Sequence, residues 1–154
     1  MSVSRAELVA RVEQARRDGD WGPVTGAIPY ARFLGLSAEA RDGALRMRLA
    51  FSPALVGNSS IPALHGGTLG ALLESAAIFV LLAELETVVL PKTINVTIDY
   101  MRSARAVDTW ASATIAKRGR RVASVHAVAW QEDRAAPIAS ATGHFLVLGS
   151  GEEP

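Results

Sequence analysis

One stretch of the chain, LGALLESAAIFVLL at residues 69–82, is apolar on nearly every face of the helix that it would form. A helix on a protein surface keeps one polar face, so a helix without one is buried all round. The rest of the chain must therefore supply enough apolar surface to enclose it.

Strand patterns flank this helix. One predicted strand ends before Asp42-Gly43 and the next begins after it. This dipeptide is typical of a two-residue hairpin turn. Residues 53–62 read as an irregular loop. Alternating or apolar runs predict six strands, at 33–40, 44–51, 93–100, 107–117, 122–131 and 138–148. Strands that follow one another by hairpins, with one long helix, predict an α+β fold in which an antiparallel sheet wraps the helix.

The strand at 93–100 separates apolar from polar residues. We expect one face to carry Ile94, Val96, Ile98 and Tyr100, and the other to carry Thr93, Asn95, Thr97 and Asp99. The polar face is compatible with a binding site and equally with a solvated surface.

The N-terminal segment is predicted to stand apart. Ser4 and Glu7 form a capping-box pattern before a short amphipathic helix, which we expect to pack outside the main core. Gly and Pro residues at 19–29 indicate a loop. We therefore divide the chain into an N-terminal helix and linker at 1–27 and a single domain at 28–150.

Bulk composition excludes several classes of protein. The 154-residue chain has a formal net charge of +1, whereas nucleic-acid-binding domains are usually strongly basic. It contains no cysteine, which suits a reducing compartment, and its charged N-terminus lacks the apolar core of a signal peptide. Acidic residues interrupt the apolar helix, which makes it a poor membrane span. We expect a cytoplasmic protein with neither nucleic acid nor membrane as a partner.

Glu74 is the one charged residue within the apolar stretch. Removing an ionised carboxylate from water is costly unless it is paired or hydrogen-bonded, so a chain that keeps one there has a reason. The reason is either a structural ion pair or a functional acid, and what precedes the helix favours the second.

His65-Gly66-Gly67 precedes the helix. Glycine lets a ligand approach the main chain, and the first N–H groups of a helix have no partner inside it. A carbonyl oxygen that gains negative charge could be held there. Glu74 lies eight residues after Gly66, about 12 Å along a helix. Because this is too far for both to act on one carbon, the acid and the donor are predicted to meet across two copies of the helix in a dimer.

These features together resemble a known family. Asn58, the His65-Gly66-Gly67 turn, Glu74 and the strands PKTINVTIDYMRSA and KRGRRVASVHAVAW are similar to those of hotdog-fold acyl-CoA thioesterases of the phenylacetate-pathway and 4-hydroxybenzoyl-CoA type. The resemblance spans residues 28–148. It implies a six-stranded antiparallel sheet around a central helix, edge-to-edge pairing into a homodimer, and a dimer of dimers.

The resemblance also implies roles for individual residues. The Gly66 N–H would polarise the thioester carbonyl, and the partner subunit's Glu74 would act either as the nucleophile or as the base that activates water. His65 and Asn58 would orient the thioester or the water. The substrate-binding residues would be Gly67, Thr93, Asn95, Tyr100, Met101, Arg102, Lys117, Arg118, Gly119 and Arg120.

Arginine is well shaped to bind phosphates, and coenzyme A carries them. The basic residues at 117–120 equally fit a charged turn that keeps the protein soluble. The spacing of His65, His126 and His144 matches no zinc pattern, so we expect no metal, and no cofactor other than the coenzyme A of the substrate. A non-catalytic acyl-CoA binding or sensing protein of the same fold remains the alternative.

Overall fold

The structure, a computed structural model, describes residues 3–148, so residues 149 and 150 of the predicted domain lie outside it. Its helices are α1 (Arg5–Asp18), α2 (Gly22–Ala27), α3 (Pro29–Leu34) and α4 (Gly66–Glu84), with a 3-10 turn at Pro53–Leu55. Its strands are β1 (Leu36–Arg41), β2 (Ala44–Leu49), β3 (Val56–Asn58), β4 (Ala63–Leu64), β5 (Lys92–Tyr100), β6 (Thr109–Arg118), β7 (Val122–Trp130) and β8 (Ala139–Leu146).

Six of the strands form one antiparallel sheet in the order β1-β2-β6-β7-β8-β5. The long helix α4 packs against β2, β6, β7 and β8, and Leu72, Leu73 and Leu81 on it are fully buried. The predicted α+β architecture, a sheet wrapped around a central helix, is confirmed.

One side of α4 is not enclosed by its own sheet. Half-buried side chains and glycines recur on successive turns along that side: Gly66, Gly70, Ala71, Glu74, Ser75 and Ile78. The expectation of a helix buried all round therefore holds for every face but this one. By length and apolarity alone α4 could also cross a membrane, but its packing against the sheet accounts for its composition.

Helix α1 begins with the predicted capping box. Ser4 Oγ accepts a hydrogen bond from the Glu7 N–H at 3.2 Å, and Glu7 Oε2 accepts one from the Ser4 N–H at 2.8 Å. The prediction that this helix packs outside the main core is wrong, since Val12 and Ala15 are buried in the same apolar cluster as α4. Arg16 Nε donates to the Leu82 carbonyl at 2.7 Å, near the C-terminal end of α4, where carbonyls lack partners within the helix.

Residues 19–29 are not the predicted loop, because most of them lie in α2 and the start of α3. Pro23 and Pro29 occupy first-turn positions, where the missing N–H costs nothing and the fixed φ suits a helix. Helix α3 ends at Gly35, which has a φ of 71°, so the first strand starts at Leu36 rather than at residue 33. The division of the chain at residue 28 stays a prediction.

The segment before α4 is also more ordered than predicted. Strand β3 lies within the expected irregular loop at 53–62, and it forms a small antiparallel hairpin with β4, which follows that loop. A Cβ on Gly57 would lie 2.8 Å from the Cα of His65, so only glycine lets β3 pack this closely on the residue that starts α4. This hairpin fixes the position of His65.

Strand β5 contains a bulge that the alternating pattern does not predict. Thr93 pairs with Phe145 and Asn95 pairs with His144, which leaves Ile94 as the extra residue. Opposed residues share a face of a sheet, so Thr93 lies on the side of the buried Phe145, facing α4, and Asn95 lies on the outer face. The predicted faces are thus wrong for Thr93 and Ile94, and Ile94 is 55% exposed.

Candidate functional site

The first peptide unit of α4 is held at both ends. His65 is the N-cap, and its Nδ1 accepts a hydrogen bond from the Gly67 N–H at 2.9 Å. The Tyr100 hydroxyl donates to the Gly66 carbonyl at 2.8 Å. Because Nδ1 acts as the acceptor, the proton of a neutral imidazole lies on Nε2. The Gly66–Gly67 peptide is therefore fixed in orientation by two side chains.

The preceding N–H, that of Gly66, is free to bind a ligand. Within residues 3–148 it donates no hydrogen bond, and Gly66 borders an open groove of about 420 Å³. Tyr100, Met101 and Arg102, three of the predicted substrate-binding residues, line the same groove. An unpaired N–H at a helix start can stabilise a developing oxyanion.

Glu74 lies on the uncovered side of α4 and is half-buried. Its Oε1 accepts a hydrogen bond from Thr93 Oγ1 at 2.6 Å. Among the described residues Oε2 receives no hydrogen bond, and the carboxylate forms no ion pair. The structural ion pair considered from the sequence is therefore not observed in the single chain, and one carboxylate oxygen is free to react.

Gly66 and Glu74 do not meet within one chain. They lie on the same side of α4, eight residues apart, which corresponds to about 12 Å along the helix axis. Each can therefore contribute only half of a site that acts on one carbonyl carbon.

The side chains of Asn58 and Asn95 hydrogen-bond to residues other than Gly66 and Glu74. The Asn58 side-chain oxygen accepts hydrogen bonds from the N–H groups of Ser60 at 3.0 Å and Ile61 at 3.4 Å, which closes the turn between β3 and β4. The Asn95 oxygen lies 2.8 Å from His144 Nδ1 on the outer face of the sheet. Within residues 3–148 neither asparagine side chain hydrogen-bonds to Gly66 or Glu74, and the predicted role of Asn58 stays a prediction.

The basic turn between β6 and β7 lies near the other end of α4. Arg118 donates to the Glu84 carbonyl at 2.8 Å and to Glu84 Oε2 at 2.9 Å. Arg118, Gly119 and Arg120 border a separate cavity of about 360 Å³. The end of β6, which contains Lys117 and Arg118, thus lies roughly 27 Å from Gly66 along the helix, so the predicted substrate-binding residues do not form a single group in one chain.

A cleft beside Glu74 was not predicted from the sequence. It has a volume of about 200 Å³ and lies between α3, β2 and α4. Tyr30 and Ala31 of α3 border it, and α3 was itself expected to be part of a loop and a strand. No local signal pointed to these residues, because the cleft depends on how α3 packs.

The chain is similar to known thioesterases. A profile of the thioesterase superfamily matches residues 62–138. The chain is 32% identical over 135 residues to the medium/long-chain acyl-CoA thioesterase YigI of Salmonella typhimurium, a match that covers 78% of this chain and 86% of that protein.

Solved structures resemble it as well. A protein from Chromobacterium violaceum is 37% identical, with a TM-score of 0.72 over 92% of this chain and 98% of that one. A phenylacetic acid degradation-related protein from Ralstonia eutropha JMP134 is 26% identical, with a TM-score of 0.71 over 89% of this chain and 99% of that one. The chain therefore belongs to the thioesterase superfamily, and the prediction of a hotdog-fold thioesterase is confirmed.

Proposed function

We propose that the protein hydrolyses an acyl-CoA thioester to the free acid and coenzyme A, in a site shared by two subunits. The observation that carries this proposal is a pair of groups on the uncovered side of α4, the Gly66 N–H and Glu74 Oε2, that have no hydrogen-bond partner among the described residues. The similarity of the chain to the acyl-CoA thioesterase of Salmonella typhimurium supports acyl-CoA as the class of substrate.

The position of β5 supports a dimer. This strand is at one edge of the sheet, and it exposes Ile94 and Tyr100 at 55% and 54%. An apolar edge strand without a partner readily pairs with another chain. Two copies of β5 would pair in antiparallel fashion around a two-fold axis, which is the usual symmetry of a homodimer.

Thr93 and Tyr100, toward opposite ends of β5, contact Glu74 and Gly66 respectively. A two-fold axis near Val96 would set Thr93 of one chain opposite Tyr100 of the other. Glu74 of one chain would then approach Gly66 of its partner, and the dimer would hold two complete sites. Pairing of dimers into a tetramer is a further part of this proposal.

The chemistry follows from the two groups. The Gly66 N–H, at the positive end of the α4 dipole, would bind the thioester oxygen as it gains charge. Glu74 Oε2 would either attack the carbonyl carbon, giving an anhydride that water hydrolyses, or take a proton from an attacking water. In both variants the C–S bond breaks and coenzyme A leaves as a thiolate, which takes a proton from water in the first variant and from the protonated Glu74 in the second. The free acid is then released. The groove at Arg102 and residues 117–120, at the end of β6 and in the turn after it, would bind the coenzyme A moiety.

Thiol release from a panel of acyl-CoAs tests this function, and we expect turnover of at least one member. The alternative is a non-catalytic acyl-CoA binding or sensing protein. In that case acyl-CoAs would raise the melting temperature of the protein without any release of thiol, and the proposal of hydrolysis would be wrong.

Thr93→Val tests the hydrogen bond that orients Glu74. The variant keeps the side-chain shape but loses the hydroxyl that donates to Oε1. Hydrogen bonds to charged groups contribute about 1.5–3 kcal/mol, so we expect kcat to fall roughly 10- to 100-fold, with a smaller change in KM. Thr142→Val, on the outer face of β8, is the matched control. A wild-type kcat for Thr93→Val would show that this contact does not position the carboxylate.

A further inference from the structure

The cleft beside Glu74 has the chemistry of a pocket for an apolar group. Residues of α3, β2 and α4 line it, among them Tyr30, Ala31, Met47, Ala71, Glu74 and Phe79. Among these lining residues Glu74 is the single charged one, and it lies where the reacting carbonyl would be. A group bound to that carbonyl would extend into the apolar part of the cleft.

The two most buried of the lining side chains mark the inner end of the cleft. Phe79 is 2% exposed and Met47 is 1% exposed. Phe79 packs against Trp21, with ring centroids 5.8 Å apart, and Trp21 is itself buried. Because interiors are close-packed, Phe79 has little room to move aside for a longer ligand. The inner end is therefore a fixed wall.

The lining also discriminates against negatively charged acyl groups. A second carboxylate on the acyl group would meet no basic side chain among the described lining residues and would lie near Glu74. Burying an unpaired charge is costly, and a like charge nearby adds to that cost. The cleft therefore disfavours acyl groups that end in a carboxylate.

The volume limits the size of the ligand. The cleft measures about 200 Å³, whereas a dry cavity of about 150 Å³ holds a benzene molecule. It thus has room for an aromatic ring with one or two further carbons, or for a straight chain of about six to eight carbons.

We propose that this cleft binds the acyl group of the substrate, that it takes a compact uncharged acyl group of this size, and that Phe79 sets the upper limit. This inference rests on the function proposed above.

The first test is kcat/KM for acetyl-, hexanoyl-, octanoyl-, phenylacetyl-, palmitoyl- and succinyl-CoA. We expect the hexanoyl, octanoyl and phenylacetyl thioesters to be hydrolysed at least about tenfold better than the palmitoyl and succinyl thioesters. Highest activity on palmitoyl- or succinyl-CoA would overturn this inference and leave the proposed function intact. Activity on none of a wider panel would overturn the proposed function.

Phe79→Ala tests the inner wall. We expect the octanoyl-to-palmitoyl ratio of kcat/KM to fall at least about fivefold, because the opened cavity accepts a longer chain. Leu81→Ala is the control, since Leu81 is equally buried on the same helix but lies in a separate cluster. An unchanged ratio in folded Phe79→Ala would overturn the assignment of the wall.

Ala71→Met keeps the inference testable if Phe79→Ala does not fold. The new side chain would extend from a half-buried position into the cleft. We expect octanoyl- and phenylacetyl-CoA to lose at least about tenfold in kcat/KM relative to acetyl-CoA. Ala83→Met, also half-buried on α4, is the control and should keep the wild-type ranking. If Ala71→Met kept the wild-type order of kcat/KM among the acyl-CoAs, the acyl group would bind elsewhere.

Discussion

Glu74→Gln is expected to lower kcat for acyl-CoA hydrolysis by roughly 10²- to 10⁴-fold, the range typical of a lost general base. Glutamine keeps the size of the side chain, and its amide oxygen can still accept the Thr93 hydrogen bond. It removes the charge that a nucleophile or a base requires. Because the carboxylate forms no ion pair within residues 3–148, we expect folding to survive.

Steady-state thiol release gives kcat, and size-exclusion chromatography with a thermal melt shows whether the variant still folds and assembles. Glu13→Gln, which removes an exposed carboxylate from α1, controls for the change in net charge. Turnover within a few-fold of wild type in folded Glu74→Gln would contradict the assignment of Glu74.

Gly66→Pro is the second variant for which we expect a large loss of kcat. Proline has no N–H, so the variant lacks the donor proposed to bind the thioester oxygen. Proline is well tolerated at the first position of a helix, and it requires an extended residue before it. His65 already has φ −65° and ψ 134°, so the backbone is compatible. Losing one oxyanion donor costs about 10²- to 10³-fold in kcat.

The matched control for this variant is Gly66→Ala. A Cβ at this position would lie 3.2 Å from the Tyr100 ring, a close contact that both variants share. Alanine keeps the N–H, so we expect it to retain much more activity than proline. Equal losses in the two variants would mean that crowding against Tyr100, rather than the missing N–H, impairs the enzyme.

Much of the fold was predictable because the signals for it are local. The apolar run at 69–82 requires enclosure by other elements, and Asp42-Gly43 turns the chain between two strands. Asp42 has a φ of 52° and Gly43 a φ of 75°, the left-handed conformations that such a turn uses. Glu74 could be singled out for the same reason, since a lone carboxylate in an apolar run is unusual whatever surrounds it.

The features that were missed depend on packing between distant segments. Helices α2 and α3 are short and rich in Gly and Pro, and they are stable because Val24 and Leu34 are buried in the core rather than because of propensity. The bulge at Ile94 changes which residues face α4, and no alternating pattern reports an extra residue. The cleft beside Glu74 requires α3 to be in place, so it could not be predicted without that helix.

We expect a complete site to need two chains, and a mixed dimer of Glu74→Gln and Gly66→Pro tests this most directly. Each parent homodimer would lack a required group in both sites. A mixed dimer, purified through two different affinity tags, would hold one site without either group and one intact site. We expect it to recover about half of the wild-type kcat per dimer, as a two-fold symmetric arrangement requires. Mixed dimers as inactive as their parents would contradict a site built from Gly66 of one chain and the partner's Glu74.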